Sequence, residues 1–158
     1  MLNARREENC VGVTPERKYY KVGQTFIKRS LRPSEWQTNH YTGSLFVPRF
    51  GKERIQNEAA SIKFIAKNTN ILVPELYCCF EDYEAVYLIM QGVEGVVPPH
   101  RVMTKSVRPQ WNMKPLESEG LVFCHNDLSA YNVIVDTETL KVKAIIDWEY
   151  AGFYPRIV

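Results

Sequence analysis

VFCHNDLSAYNVIVDTETLKVKAIIDWEYAGFYP, residues 122–155, sets short apolar runs around polar residues at fixed separations. Leu121 to Cys124 is one apolar run, Asn132 to Val135 a second and Lys141 to Ile146 a third. Each is short and bounded by polar or turn residues, which predicts strands. The polar stretch Asp136 to Thr139 joins the second to the third and predicts a hairpin. An antiparallel hairpin returns the chain to its starting point, so Asn132 and Asp147 should meet at its open end, with Asp127 entering from the preceding loop.

Taken singly, Asp127 would cap a turn, Asn132 would open a strand and Asp147 would cap the exit from one. Together they supply what phosphoryl transfer asks of a protein: a carboxylate to orient and accept the proton of an attacking hydroxyl, and hard oxygen ligands for Mg²⁺. Asp127 and Asn132 stand five residues apart, the separation of Asp and Asn in the kinase catalytic loop. His125 is read as structural, an imidazole that braces the loop backbone. Asn126 and Ser129 receive no role.

Working toward the N-terminus, Ala85 to Met90 and Leu76 to Phe80 flank the acidic turn Glu81 to Glu84, a hairpin pattern. Before it, Ile55, Ala59, Ile62, Ile65 and Ala66 recur at helical spacing and predict a helix over Glu53 to Lys67. Glu58 projects inside that stripe, and a buried carboxylate needs a cation or hydrogen-bond donors. Lys28, in Phe26-Ile27-Lys28, is one partner; Arg29 and Arg32 are alternatives. Lys18 to Val22 and Thr25 to Leu31, around Gly23-Gln24, predict another hairpin, and Arg32 to Gly51 an elaborated loop. There is no Gly-x-Gly-x-x-Gly; Val22-Gly23-Gln24 reads as an ordinary turn. Val96 to Pro115 holds four prolines and predicts an irregular segment.

At 158 residues, 45% hydrophobic and 24% charged, the chain has the composition of a globular protein, not of a disordered, collagenous or coiled-coil one. No apolar run approaches the roughly 18–20 residues of a membrane span. The polar stretch Met1 to Asn9 shows no readable secretory signal, so a cytoplasmic location is the expectation. The four cysteines include no Cys-x-x-Cys, which argues against zinc and a disulfide framework. Residues 1–60 carry eleven Lys/Arg against six Asp/Glu, and residues 61–158 nine against twelve. The basic residues are interleaved with aromatics and turns, and neither a nucleic acid nor a membrane is expected as a partner.

Over most of its length the chain resembles the aminoglycoside phosphotransferase and choline kinase group of protein-kinase-like enzymes, most closely fungal phosphotransferase-family proteins. The resemblance rests on YYKVGQTFIKRSLRPSEW (19–36), NEAASIKFI (57–65) with NTNILVPELY (68–77), FEDYEAVYLIM (80–90), FCHNDLS (123–129) and AIIDWEYAGF (144–153). It implies an α+β, protein-kinase-like fold: an N-terminal antiparallel sheet lobe with one packed helix, plus a reduced C-terminal lobe that retains the catalytic loop and metal hairpin. The expected divisions are a charged leader (1–17), the N-lobe and hinge (18–95), a Pro-containing segment (96–120) and the catalytic and metal-binding part (121–158). The resemblance implies Lys28 and Glu58 at the nucleotide, Asp127 as catalytic base, and Asn132 and Asp147 as Mg²⁺ ligands, with ATP and Mg²⁺ as cofactors and a hydroxyl-bearing small molecule as acceptor. Met90 to Gly95 would be the hinge against which adenine packs. Only 29 residues separate Gly95 from His125, where the group places helices, and the chain stops soon after Asp147. It therefore looks internally shortened and truncated, and a non-catalytic kinase-like remnant is the alternative expectation.

Overall fold

The computed structural model describes residues 7–39, 41–96 and 120–155. Its main sheet is antiparallel, in the order β1 (Cys10–Val13), β2 (Arg17–Val22), β3 (Thr25–Ser30), β7 (Ala85–Gln91), β6 (Leu76–Asp82). The expected hairpins form. Gly23, at φ +57°, turns β2 into β3, a conformation open to glycine without Cβ strain. Tyr83 and Glu84 turn β6 into β7 with positive φ at both residues, as a two-residue hairpin loop requires, though neither is glycine. Cys10–Val13, inside the stretch expected to be a leader, is an edge strand with an irregularity in register between Cys10 and Gly12. The elaborated loop carries the two-residue strands β4 (Gln37–Thr38) and β5 (Leu45–Phe46). The segment 97–119, expected to be irregular, lies outside the described residues.

The helix α1 runs Gly51–Asn68 and buries Ile55, Glu58, Ala59, Ser61, Ile62 and Ile65; Ala66, expected in the stripe, is exposed. Side chains alternate faces along a strand, so Val86, Leu88 and Met90 of β7 meet α1 in one core that also takes in Trp148 and Ala151. The same alternation separates neighbours on β3. Lys28 turns toward α1, whereas Arg29 joins Glu35, Lys18 and Tyr20.

Glu35 is held by Arg29 at 2.6 and 2.9 Å, by Lys18 at 2.7 Å and by the Arg32 backbone N–H at 2.8 Å. Burial opposes its charge, but these donors outweigh it and hold the Glu35 carboxyl well below the usual carboxylate range. A depressed carboxyl pKa stabilises the fold above the unfolded value of about 4.3 and loses that contribution as pH falls through the folded value. Glu35→Gln should therefore melt lower than wild type at pH 7, by about 1–3 kcal/mol of stability. Thermal melts should show the gap closing as pH drops below about 4. A gap that stays constant down to pH 2 would contradict this.

The C-terminal part adds two antiparallel pairs: β9 (Val133–Val135) with β10 (Val142–Ile145), and β8 (Leu121–Cys124) with β11 (Gly152–Pro155). Phe64 of α1 packs on Phe123 and Phe153, with centroids 4.7 and 5.5 Å away, and joins these pairs to the helix. The Ile145 N–H donates to Leu72 O at 2.8 Å, and Val96 bridges Val135 in both directions at 3.0 Å. Gly95 is obligatory beside that bridge, because a Cβ there would meet Val135 O at 2.5 Å. Among the described residues, no helix is long and apolar enough to cross a membrane.

Candidate active site

Lys28 reaches its position because β3 lies inside the sheet, paired on both sides, and points it at α1. Its Nζ donates to both oxygens of Glu58, at 2.8 and 2.9 Å, and to Asp147 Oδ1 at 2.7 Å. Glu58 is 1% exposed and Lys28 6%. Arg29 and Arg32, the alternative partners, are engaged elsewhere, Arg32 with Tyr83 O and Tyr87 Oη. Burial disfavours the Lys28 ammonium, but Glu58 and Asp147 outweigh it and raise its pKa. Burial likewise opposes ionisation of Asp147, and Lys28 overcomes it and lowers the Asp147 pKa. The Lys28–Asp147 pair is ionised on both sides.

The β9–β10 hairpin does what its register demands. Val133 pairs with Ile145, and the Ile146 N–H donates to Asn132 O at 2.9 Å, so Asn132 and Asp147 sit at the same open end. Asn132 is buried, and its Nδ2 donates to the Asp127 carbonyl at 2.7 Å. The five-residue spacing thus closes the loop on itself and leaves Asn132 Oδ1 as the side chain's acceptor. Asp127 is exposed.

His125 acts as the brace expected of it. Its Nδ1 accepts from the Asp127 N–H at 3.3 Å and its Nε2 lies 2.9 Å from Ile146 O, which requires the proton on Nε2. One imidazole therefore ties the Asp127 loop to the Asp147 strand, and it packs on Trp148 at 4.5 Å. Asn126 takes a positive φ and donates to Tyr154 Oη at 3.0 Å; Ser129 O accepts the Asn132 N–H.

An apolar cleft of about 270 Å³ opens beside Lys28 and Glu58, walled by Phe26, Pro74, Met90, Ile134 and Ile146 and by residues 91–93. The Gln91 N–H is taken by Glu75 O and that of Gly92 by Gln24 O. Val93, the next residue, also lines the cleft. A second cavity of about 300 Å³ lies against Asp147 and includes Thr14, Pro15, Glu16, Arg17 and Arg54 in its walls. The connection beside Asp147 is thus the β1–β2 turn, not the glycine turn at 23. The Thr14 hydroxyl accepts from the Glu16 and Arg17 N–H groups at 3.3 and 3.1 Å, so this turn is closed by its own side chain.

Sequence reasoning missed the ionic surroundings of Asp147. The carboxylates of Glu58, Asp147 and Glu149 come within 4.8 Å of one another. Lys28, Arg17 and Arg54 meet their charges. The available signal was Arg54 one turn before Glu58, with Asn57 beside it on the same helix.

A divalent cation fits the donor set at the hairpin end: Asn132 Oδ1 and Asp147 Oδ2 are hard oxygens not spent on these contacts, and two protein ligands suit an ion that keeps water and takes phosphate oxygens.

The family profile described as "Phosphotransferase enzyme family" matches residues 103–158, a span that holds Asp127, Asn132 and Asp147 but neither Lys28 nor Glu58. No curated protein matches the sequence. Among solved structures, the chain is similar to WbdD bound to the kinase inhibitor LY294002: TM-score 0.53, 18% identity, covering 89% of this chain and 32% of that one. A second WbdD structure, described as a bifunctional kinase-methyltransferase, gives 0.53 at 15% identity, covering 92% and 32%. An aminoglycoside-3'-phosphotransferase of type VIII gives 0.54 at 16% identity, covering 94% and 74%. The chain spans about a third of the length of the WbdD chains. The fold is α+β and protein-kinase-like, an antiparallel sheet lobe with one packed helix followed by a C-terminal part whose described residues form two antiparallel strand pairs. Its C-terminal third carries the phosphotransferase-family pattern.

Proposed function

We propose that the chain is the nucleotide-binding and catalytic part of an ATP- and Mg²⁺-dependent phosphotransferase that moves the γ-phosphoryl group to a small-molecule hydroxyl. The carrying observation is the Lys28–Glu58–Asp147 ion set, 2.7–2.9 Å across each contact, of which Lys28 and Glu58 line an apolar cleft. The cleft takes the adenine, with Val93 offering the backbone contact, and Lys28 faces the phosphates with Glu58 fixing its direction. Asn132 and Asp147 would hold Mg²⁺, which when bound offsets phosphate charge. Asp127, on a loop closed by Asn132 and braced by His125, orients the acceptor hydroxyl and takes its proton.

In this reading, residues 18–95 are the nucleotide lobe and hinge and 121–158 the catalytic and metal-binding segment. The four cysteines are free thiols in a cytoplasmic protein, and neither nucleic acid nor membrane is a partner. A second reading, a nucleotide-binding module without turnover, is favoured by the exposure of Leu128 in the catalytic loop and of Leu121 and Phe153 on the β8–β11 pair that leads into it.

Thermal shift followed by turnover separates the two. A ligand at ten times its Kd adds about 1.4 kcal/mol, a rise of roughly 3–5 °C for a chain of this size. MgATP should produce that rise in wild type and in Asp127→Asn, whereas acceptor-dependent ADP release should be confined to wild type. Stabilisation without ADP release from any hydroxyl acceptor supports the module. No MgATP stabilisation at all sinks both.

A further inference from the structure

Glu149 lies two residues beyond Asp147, is 5% exposed, and contacts no part of the nucleotide cleft. Its carboxylate is gripped by Arg17 of β2 and Arg54 of α1. The Asn57 amide donates to Glu149 O at 3.0 Å and Ala151 O at 2.9 Å, and the Arg54 guanidinium lies over the Tyr150 ring at 4.6 Å. Trp148 Nε1 donates to Ile145 O at 2.9 Å. The turn Trp148–Tyr150 is thus fastened to the sheet, to α1 and to β10.

Asp147 precedes that turn directly and has left-handed backbone, φ 66° and ψ 51°. Nothing in its own side chain enforces this conformation, because Lys28 holds only Oδ1. The aim of the second carboxylate oxygen is therefore set by where residues 148–151 are anchored.

We propose that Glu149, with Asn57, is a positioning residue for Asp147: the anchor fixes the angle at which Asp147 offers its free oxygen to a divalent cation. Arg54 also reaches Glu16 at 2.8 Å, so the guanidinium that holds Glu149 pins the β1–β2 turn over the adjoining cavity. The turn and the cation ligand are held by one side chain. The inference rests on the proposed MgATP site.

The test measures the Mg²⁺ concentration giving half of the ATP-induced thermal shift, for wild type, Asn57→Ala and Glu149→Gln. Asn57→Ala leaves every ion pair in place and removes only the clamp on the two carbonyls; Glu149→Gln keeps the shape and removes the charge. Both should raise the half-maximal Mg²⁺ about tenfold or more and leave the shift by ATP without Mg²⁺ unchanged. A purely structural role would lower the melting point of the free protein and leave the half-maximal Mg²⁺ where it is in wild type. That result, in either variant that folds, overturns the inference while MgATP binding by wild type stands. If wild type itself shows no Mg²⁺-dependent shift, the proposed function fails and the inference falls with it.

Discussion

Lys28→Met should cost the fold about 3–5 kcal/mol at neutral pH, because it strands the buried Glu58 carboxylate and deprives Asp147 of its cation. Methionine fills nearly the same length of side chain, so the loss comes from the unpaired charge and not from a void. At roughly 2–4 °C per kcal/mol the melting point should fall by about 10 °C. The pH dependence has a definite sign. Burial already raises the Glu58 pKa against the pull of Lys28; without Lys28, burial and the charges of Asp147 and Glu149 act unopposed and raise it further, and a group with a raised folded pKa contributes stability at low pH that is lost as pH rises. The mutant's deficit should therefore be small near pH 4 and grow toward pH 7. Lys28→Met/Glu58→Leu also removes the stranded Glu58 charge and should recover the part of the loss owed to Glu58, since an apolar pair of similar volume replaces a buried ion pair at little cost, while the part owed to Asp147 stays lost. Nucleotide stabilisation should be absent from both. If Lys28→Met melts like wild type at pH 7, the pair does not carry the energy assigned to it.

What could be read without coordinates was whatever a local pattern encodes. The α1 stripe put Glu58 inward, and a buried carboxylate implied a cation; residues 132–147 encoded their own hairpin, and with it the meeting of Asn132 and Asp147. The helix start was misjudged by two residues because Phe50, in left-handed conformation, precedes Gly51 without any side-chain cap to announce it. Ala66 kept the right spacing yet is exposed, since spacing says nothing about where the partner surface ends. The strand Cys10–Val13 was hidden in a charged stretch and depends on β2 for its pairing. The Glu149 cluster had no local signature at all. It draws Glu16 and Arg17, Arg54 and Asn57, and residues 149–151 from three distant segments, and buried charges assembled this way become visible only when the chain is folded.

Asp147→Asn and Asp147→Ala should separate the backbone role of this residue from its charge. Asn tolerates left-handed backbone nearly as well as Asp, whereas Ala at φ 66° costs about 1–2 kcal/mol. Asn should therefore fold more stably than Ala. Neither keeps the carboxylate, so both should lose the Mg²⁺-dependent part of nucleotide stabilisation and any turnover, with Asn no better than Ala. Removing the negative charge also leaves Lys28 paired with Glu58 alone, freer to meet phosphate, so stabilisation by ATP without Mg²⁺ should persist or increase in both variants. Asp127→Ala should behave in the opposite way, keeping MgATP stabilisation and losing phosphoryl transfer, because its exposed carboxylate holds neither Lys28 nor the hairpin. Retention of the wild-type Mg²⁺ response in Asp147→Asn would remove Asp147 from the metal site and leave it as a partner of Lys28 only.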